Sequence, residues 1–252
     1  MRDATLGETS ATISQFVSAI LVLLLLSRCT ESYRFDPKGL CLDLDIVKRI
    51  LVVGLPTGIQ QSLTAFSNVF VHSYINAFGS ACMAGWSCYS KIDQFIFLPM
   101  QSMGSAATMF VGQNIGAENT KRAKEGSIKA LSMAILFTVV CCITLWIFAP
   151  QMVALFNRDP EVLRYGVMTL RLNLCFMVFC CFNQVLAGAL RGTGDAKTPM
   201  YYLLFSQVVV RQIYLFLISR LFPGNFHVIA FAFPMGWMLC SVLMSSHFFR
   251  MN

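Results

Sequence analysis

Apolar residues run through the chain in seven long stretches, bounded approximately at 6–27, 50–78, 81–112, 129–149, 162–190, 199–221 and 226–249. Each is long enough for a helix to cross a hydrocarbon core, which takes about 20 residues. The pattern therefore predicts an all-α, polytopic helical membrane protein with about seven transmembrane helices. The third stretch is too long for one straight crossing, since 32 residues at 1.5 Å rise reach about 48 Å. Pro99 near its middle is expected to bend it, and Pro56 and Pro234 to interrupt the second and seventh. Between the first two stretches lies a polar, basic segment, 28–49, in which Leu40, Leu42, Leu44 and Val47 are placed to rest an interfacial helix on the membrane. Three parts follow: 1–27, a first helix; 28–49, a basic cytoplasmic linker; and 50–252, a six-helix lobe.

Polar positions inside the stretches carry more information than the apolar ones. At about 100° per residue, Thr57, Gln61, Thr64, Asn68 and His72 of the second stretch fall within about 60° of one line. An unsatisfied polar group in lipid costs several kcal/mol, so the line faces either a neighbouring helix or a water-filled cavity. Ser87, Ser90, Asp93, Gln94, Gln101, Ser105 and Thr108 form a similar arc on the third stretch. Asp93 is an intramembrane acid, which reads either as a protonation or sodium-binding site or as half of a structural charge pair. Arg211, near the centre of the sixth stretch, needs a partner, and Asp93 is the candidate at similar depth. Lys91 leans toward Gln94, and Asn173, Cys180 and Gln184 align weakly on the fifth stretch.

Composition sharpens this picture. The chain has 252 residues, 56% of them hydrophobic and 12% charged. Its mean hydropathy is +0.65. A soluble domain carries about 25% charged residues, and disorder needs low hydrophobicity, so both classes are excluded. The net charge of +7 matters through its distribution rather than as a nucleic-acid footprint. Twelve Lys and Arg fall on one side of the predicted spans and four on the other. This bias puts the linker and the C-terminus in the cytoplasm and the N-terminus outside a plasma (inner) membrane. Eight of the ten Cys sit in apolar stretches with no Cys-x-x-Cys spacing, so they read as small packing residues, with no metal and no redox pair. No Gly-x-Ser-x-Gly, His-Glu-x-x-His or phosphate-cradling glycine loop is present, so no enzyme and no cofactor is expected. Neutral polar stripes among large aromatics suit a broad, weakly selective cavity for small molecules instead.

Several junctions resemble one family. Val111-Gly112-Gln113-Asn114-Ile115-Gly116-Ala117, followed by Lys121-Arg122-Ala123, resembles the cytoplasmic end of the eighth helix of multidrug and toxic compound extrusion (MATE) transporters. Arg191-Gly192-Thr193-Gly194-Asp195 with Pro199 resembles that family's loop between helices ten and eleven. Gly54-Leu55-Pro56 and the segment from Gly7 to Gln15 fit the same alignment. On their own chemistry, Gly112, Gly116, Gly192 and Gly194 allow tight turns, while Gln113, Asn114, Arg191 and Asp195 can cap helix ends. The resemblance implies one complete six-helix MATE-type lobe plus the preceding helix, corresponding to family helices six through twelve. It also implies export of amphiphilic, often cationic, drugs or toxic metabolites in exchange for sodium ions or protons, by two lobes rocking about a central site. The chain is then expected to be a fragment, inserted in the membrane but inactive without its missing N-terminal lobe. Where some family members carry a Glu on helix seven, this chain offers Thr64 and Asn68, which puts ion coupling in question. Two other functions fit the stripes: a flippase-like exporter of lipid-linked saccharide, favoured by a basic cavity, and a non-transporting membrane assembly subunit, in which the stripes are packing seams.

Overall fold

The computed structural model describes residues 2–28, 43–222 and 224–250, and among these it is helices and turns without a strand. Its elements are α1 (Arg2–Arg28), α2 (Leu44–Asn76), α3 (Ser80–Gly116), α4 (Thr120–Ile147), α5 (Ala149–Ala154), α6 (Pro160–Leu174) and α7 (Met177–Gly192). They continue with α8 (Lys197–Leu204), a π-helical turn (Phe205–Val210), α9 (Arg211–Leu221), α10 (Phe226–Ala230) and α11 (Ala232–Arg250). The chain divides into two units, 1–48 and 49–252. In the first, α1 covers the predicted first span and exposes Ile13, Phe16, Leu21 and Leu25. Most of the proposed interfacial helix lies outside the described residues. Its last part does not form a separate helix: Leu44 and Val47 belong to the opening turns of α2, which the Asp43 carboxylate caps by accepting from the Asp45 and Ile46 N–H groups.

In the second unit α3 is the central element, packed against α4, α6 and α7, while α11 packs on α7 and on the π-turn. Apolar side chains face outward as well as inward. On α4, Met133, Leu136, Phe137, Val140 and Ile147 form an exposed stripe at helical spacing, whereas Ser127 and Thr138 are buried. That inversion is what a lipid solvent selects. By length and apolarity α3, α4, the α8–α9 rod and Phe226–Phe248 are each able to cross a membrane, and α6 with α7, taken together as one span, give a fifth crossing bent by 53°. Three boundaries depart from the sequence pattern. α4 begins at Thr120, because Asn119 caps its basic first turns by accepting from the Arg122 N–H at 3.1 Å. The fifth stretch breaks after Leu174. α3 passes Pro99 without a break, and Pro234 sits in the first turn of α11, where a proline is tolerated, so the interruption falls at Phe231 instead.

Among the described residues α2 has few close backbone neighbours. Its C-terminal half is nevertheless anchored in the core by the fully buried Val71 and Ile75, and before them long polar side chains reach across to it.

Candidate functional site

Arg211 opens α9 immediately after the π-turn. Although only 2% exposed, it meets no carboxylate among the described residues. Its Nη2 donates to Ser67 Oγ and to Asn68 Oδ1 of α2, both at 2.8 Å. Gln212 Nε2 donates to the same Ser67 hydroxyl at 2.7 Å and to its carbonyl at 2.9 Å. Ser67 in turn donates to the Gln207 carbonyl inside the π-turn at 3.4 Å. The guanidinium also lies over the Phe233 ring of α11, 4.8 Å from its centroid. α2 is thus held by a charged group dispersed over two side-chain oxygens and an aromatic face.

The expected Arg211–Asp93 pair does not form among the described residues. Asp93 lies on the α3 face turned to Cys142 of α4 and Cys180 of α7, with Tyr89 one turn away as its polar neighbour. Its Oδ1 is buried without a hydrogen-bond partner. Between the two charges stands a row of rings: Phe233 to Trp86 at 5.3 Å, and Trp86 to Tyr89 at 5.1 Å, with His72 edge-on to Trp86 at 6.4 Å. Similar depth was the sequence argument for pairing, but depth along an axis says nothing of the aromatic layer in between.

The α2 stripe is only partly gathered. Thr64 and Asn68 are half-buried, while Gln61 and His72 are exposed. Thr57 and Thr64 satisfy their hydroxyls on their own helix, on the carbonyls of Val53 at 2.9 Å and Gln60 at 2.8 Å. This back-bonding is a third solution besides neighbour and cavity. On α3, Ser90 is half-buried and Gln94 and Gln101 are exposed. Lys91 turns from Gln94 to the Phe156 ring, 5.3 Å from its centroid. Thr108 crosses to α7, donating to the Gly188 carbonyl at 2.8 Å.

The motif residues divide between turns and packing. Gly194 has φ +90° and makes the turn before α8, whose first turn Asp195 caps by accepting from the Thr198 N–H at 3.0 Å, with Pro199 buried there. At the α3–α4 turn the positive φ belongs to Glu118, not to Gly112 or Gly116, which are helical. Asn114 is buried and donates to the Phe110 carbonyl at 2.7 Å, while Gln113 is exposed. Gly192 is a packing residue: a Cβ there meets the Thr108 carbonyl at 2.6 Å, as one on Gly188 meets that of Gly104 at 2.1 Å. Gly188 and Gly192 are four apart, the spacing that lets two membrane helices touch through their backbones, and this signal was legible in the sequence but went unread. Arg191 does not cap its loop. Its Nη2 donates to Gln60 Oε1 of α2 at 3.0 Å. Pro56, buried inside α2, lies one turn before that contact. Ser67 and Gln60 were missed because they lie beside the α2 stripe, not on it, and Gln212 because it sits on another helix, next to Arg211. Asn183 was missed because only its fold partners, Trp237 and Ser241 of α11, reveal it.

The MatE family profile matches residues 56–217. A probable multidrug resistance protein, YoeA of Bacillus subtilis, is 24% identical over 79% of this chain and 44% of its own length. A probable multidrug resistance protein, NorM of Acinetobacter baylyi, is 28% identical over 67% of this chain and 38% of its own. The chain therefore spans less than half the length of these relatives. Among solved structures, a MATE crystallised in complex with MaL6 superposes with a TM-score of 0.86 at 18% identity, over 94% of this chain and 54% of the other. A multidrug resistance MATE family transporter in an outward-facing conformation gives 0.85 over the same shares. The fold is that of about half of a MATE transporter, and with more than half of its length matched by the profile, this chain belongs to the MatE family of helical membrane proteins.

Proposed function

We propose that the chain forms one lobe of an efflux antiporter that exports amphiphilic or cationic small molecules across the plasma membrane. The observation that carries the reading is α2: a helix with few backbone neighbours that exposes Gln61 and His72, the latter edge-on to Trp86 of the aromatic layer. A polar, ring-backed face of this kind offers a cavity wall that binds by shape and π-surface rather than by a fixed set of donors. In this reading a second lobe, supplied in the same protein or by another chain, forms the opposite wall. Asp93, with a buried unpartnered oxygen, serves as the carboxylate that exchanges sodium ions or protons. The linker and C-terminus face the cytoplasm, following the twelve-to-four basic bias. Arg211 is consumed by α2 and Lys91 by Phe156, so the basic cavity that a saccharide-lipid flippase needs finds no support.

The test is efflux of a cationic dye from cells stripped of their own pumps. They express this chain alone or together with the N-terminal lobe of a related transporter. Uncoupler-sensitive efflux only with both lobes is the expected result. Robust efflux by the chain alone overturns the single-lobe reading, and no efflux with either overturns export.

A further inference from the structure

A groove of about 620 Å³ opens between α6 and α10, beside the turn that joins α5 to α6. Its wall is apolar along Leu163, Val167 and Met168 and basic at Arg164, Arg171 and His227, and its described lining holds no carboxylate. Arg164 and Arg171 are seven residues apart, two turns on one face, so their Cα atoms lie about 10.5 Å apart. Side chains on a helix lean toward its N-terminus, so both arginines tip the same way along α6 and their long side chains reach the space between them. Arg171 is already positioned: its guanidinium lies over the Trp146 ring, 4.8 Å from the centroid, and its buried Nε has no acceptor. An unpaired guanidinium backed by a ring, with a second one above it and an apolar runway alongside, lacks an anion that carries a hydrocarbon tail.

We infer that this groove binds an anionic phospholipid of the surrounding bilayer, its phosphate between Arg164 and Arg171 and an acyl chain along Val167 and Met168. Charge complementarity selects the occupant, and the apolar wall distinguishes a lipid from a free anion. Planar guanidinium groups favour the phosphate because they present paired donors. The site is independent of drug export and lies wholly within residues 49–252.

Tryptophan quenching tests it. The chain has three Trp; Trp86 and Trp237 are buried, whereas Trp146 is 45% exposed at the groove. The full chain is reconstituted in mixed vesicles in which bromine is carried by the acyl chains of either phosphatidylglycerol or phosphatidylcholine. Quenching is expected to report a preference of up to about 30-fold for the anionic lipid, the scale set by two arginines at an anionic surface. The preference should vanish in Trp146→Phe, fall severalfold in Arg164→Gln, whose side chain is exposed and not needed for folding, and approach unity in Arg164→Gln/Arg171→Gln. Arg164→Lys/Arg171→Lys should keep part of it. Equal quenching by both lipids, a preference that survives Trp146→Phe, or one indifferent to Arg164→Gln overturns the site. Loss of the preference on adding glycerol phosphate to the buffer assigns the groove to a water-soluble anion and overturns the lipid.

Discussion

Arg211 stacks on Phe233, with 4.8 Å between the guanidinium carbon and the ring centroid, and this contact takes the place of the carboxylate that the burial of a charge would otherwise demand. A desolvated cation–π contact is worth about 2 kcal/mol, and a hydrogen bond to a charged group about 1.5–3. Together they explain how the charge is tolerated with neutral oxygens alone. In a double-mutant cycle, Arg211→Gln with Asn68→Ala should show a coupling of about 1–2 kcal/mol, and Arg211→Gln with Asp93→Asn a coupling near zero. Thermal unfolding in detergent measures both, and a large Arg211–Asp93 coupling contradicts the arrangement.

Asp93 should separate stability from function. Its Oδ1 is buried and unpartnered, and its one hydrogen bond, from Tyr89, is one an amide oxygen can still accept, so Asp93→Asn removes a cost of burial while keeping that bond. Folded yield and unfolding temperature should stay level or rise. Ion-driven efflux, measured with the second lobe present, should be lost. A variant that loses stability instead places Asp93 among the structural residues.

Access to α2 should be graded around the helix. With the ten native cysteines replaced, a membrane-impermeant thiol reagent should modify Gln61→Cys and His72→Cys quickly, Asn68→Cys slowly, and Val71→Cys and Ile75→Cys hardly at all. Uniform protection of all five positions removes the cavity wall from the account.

The glycines should separate by what surrounds them. A Cβ on Gly188 falls 2.1 Å from the Gly104 carbonyl, and one on Gly116 meets nothing within 4 Å. Gly188→Ala should cost about 1–3 kcal/mol or more and depress folded yield. Gly116→Ala should be close to neutral, although Gly116 sits in one of the stretches that resemble the family and Gly188 does not. Equal yields from the two variants would show that the α3–α7 crossing is not close-packed.

Much of the fold was legible in the sequence, because lipid imposes one rule on every span. The apolar stretches located α1, α3 and α4, and the turn chemistry of Gly194 and Asp195 located the start of α8. The break between α6 and α7 was not legible: Leu174, Cys175 and Phe176 are as apolar as their neighbours, and no proline or glycine marks them. Of the site, angular position picked out Asn68, Asp93 and Arg211 as polar residues needing an explanation. It failed on who meets whom, since Ser67 and Phe233 answer Arg211 from other helices. It also failed on Thr57 and Thr64, whose hydroxyls are spent on their own backbone.

The bend in the fifth crossing can be understood from chain length. α3 touches its neighbour at two glycine-lined points, Gly85 against Gly166 and Gly104 against Gly188. Between them α3 uses nineteen residues and the α6–α7 segment twenty-two. The surplus of three residues is about 4.5 Å of helical rise. With both ends pinned, a straight segment would overshoot its second contact, and the 53° break absorbs the excess as a bow. The kink is thus a slack-taker between two fixed rivets, and deleting three residues around Cys175 should straighten the segment while leaving both glycine contacts in register.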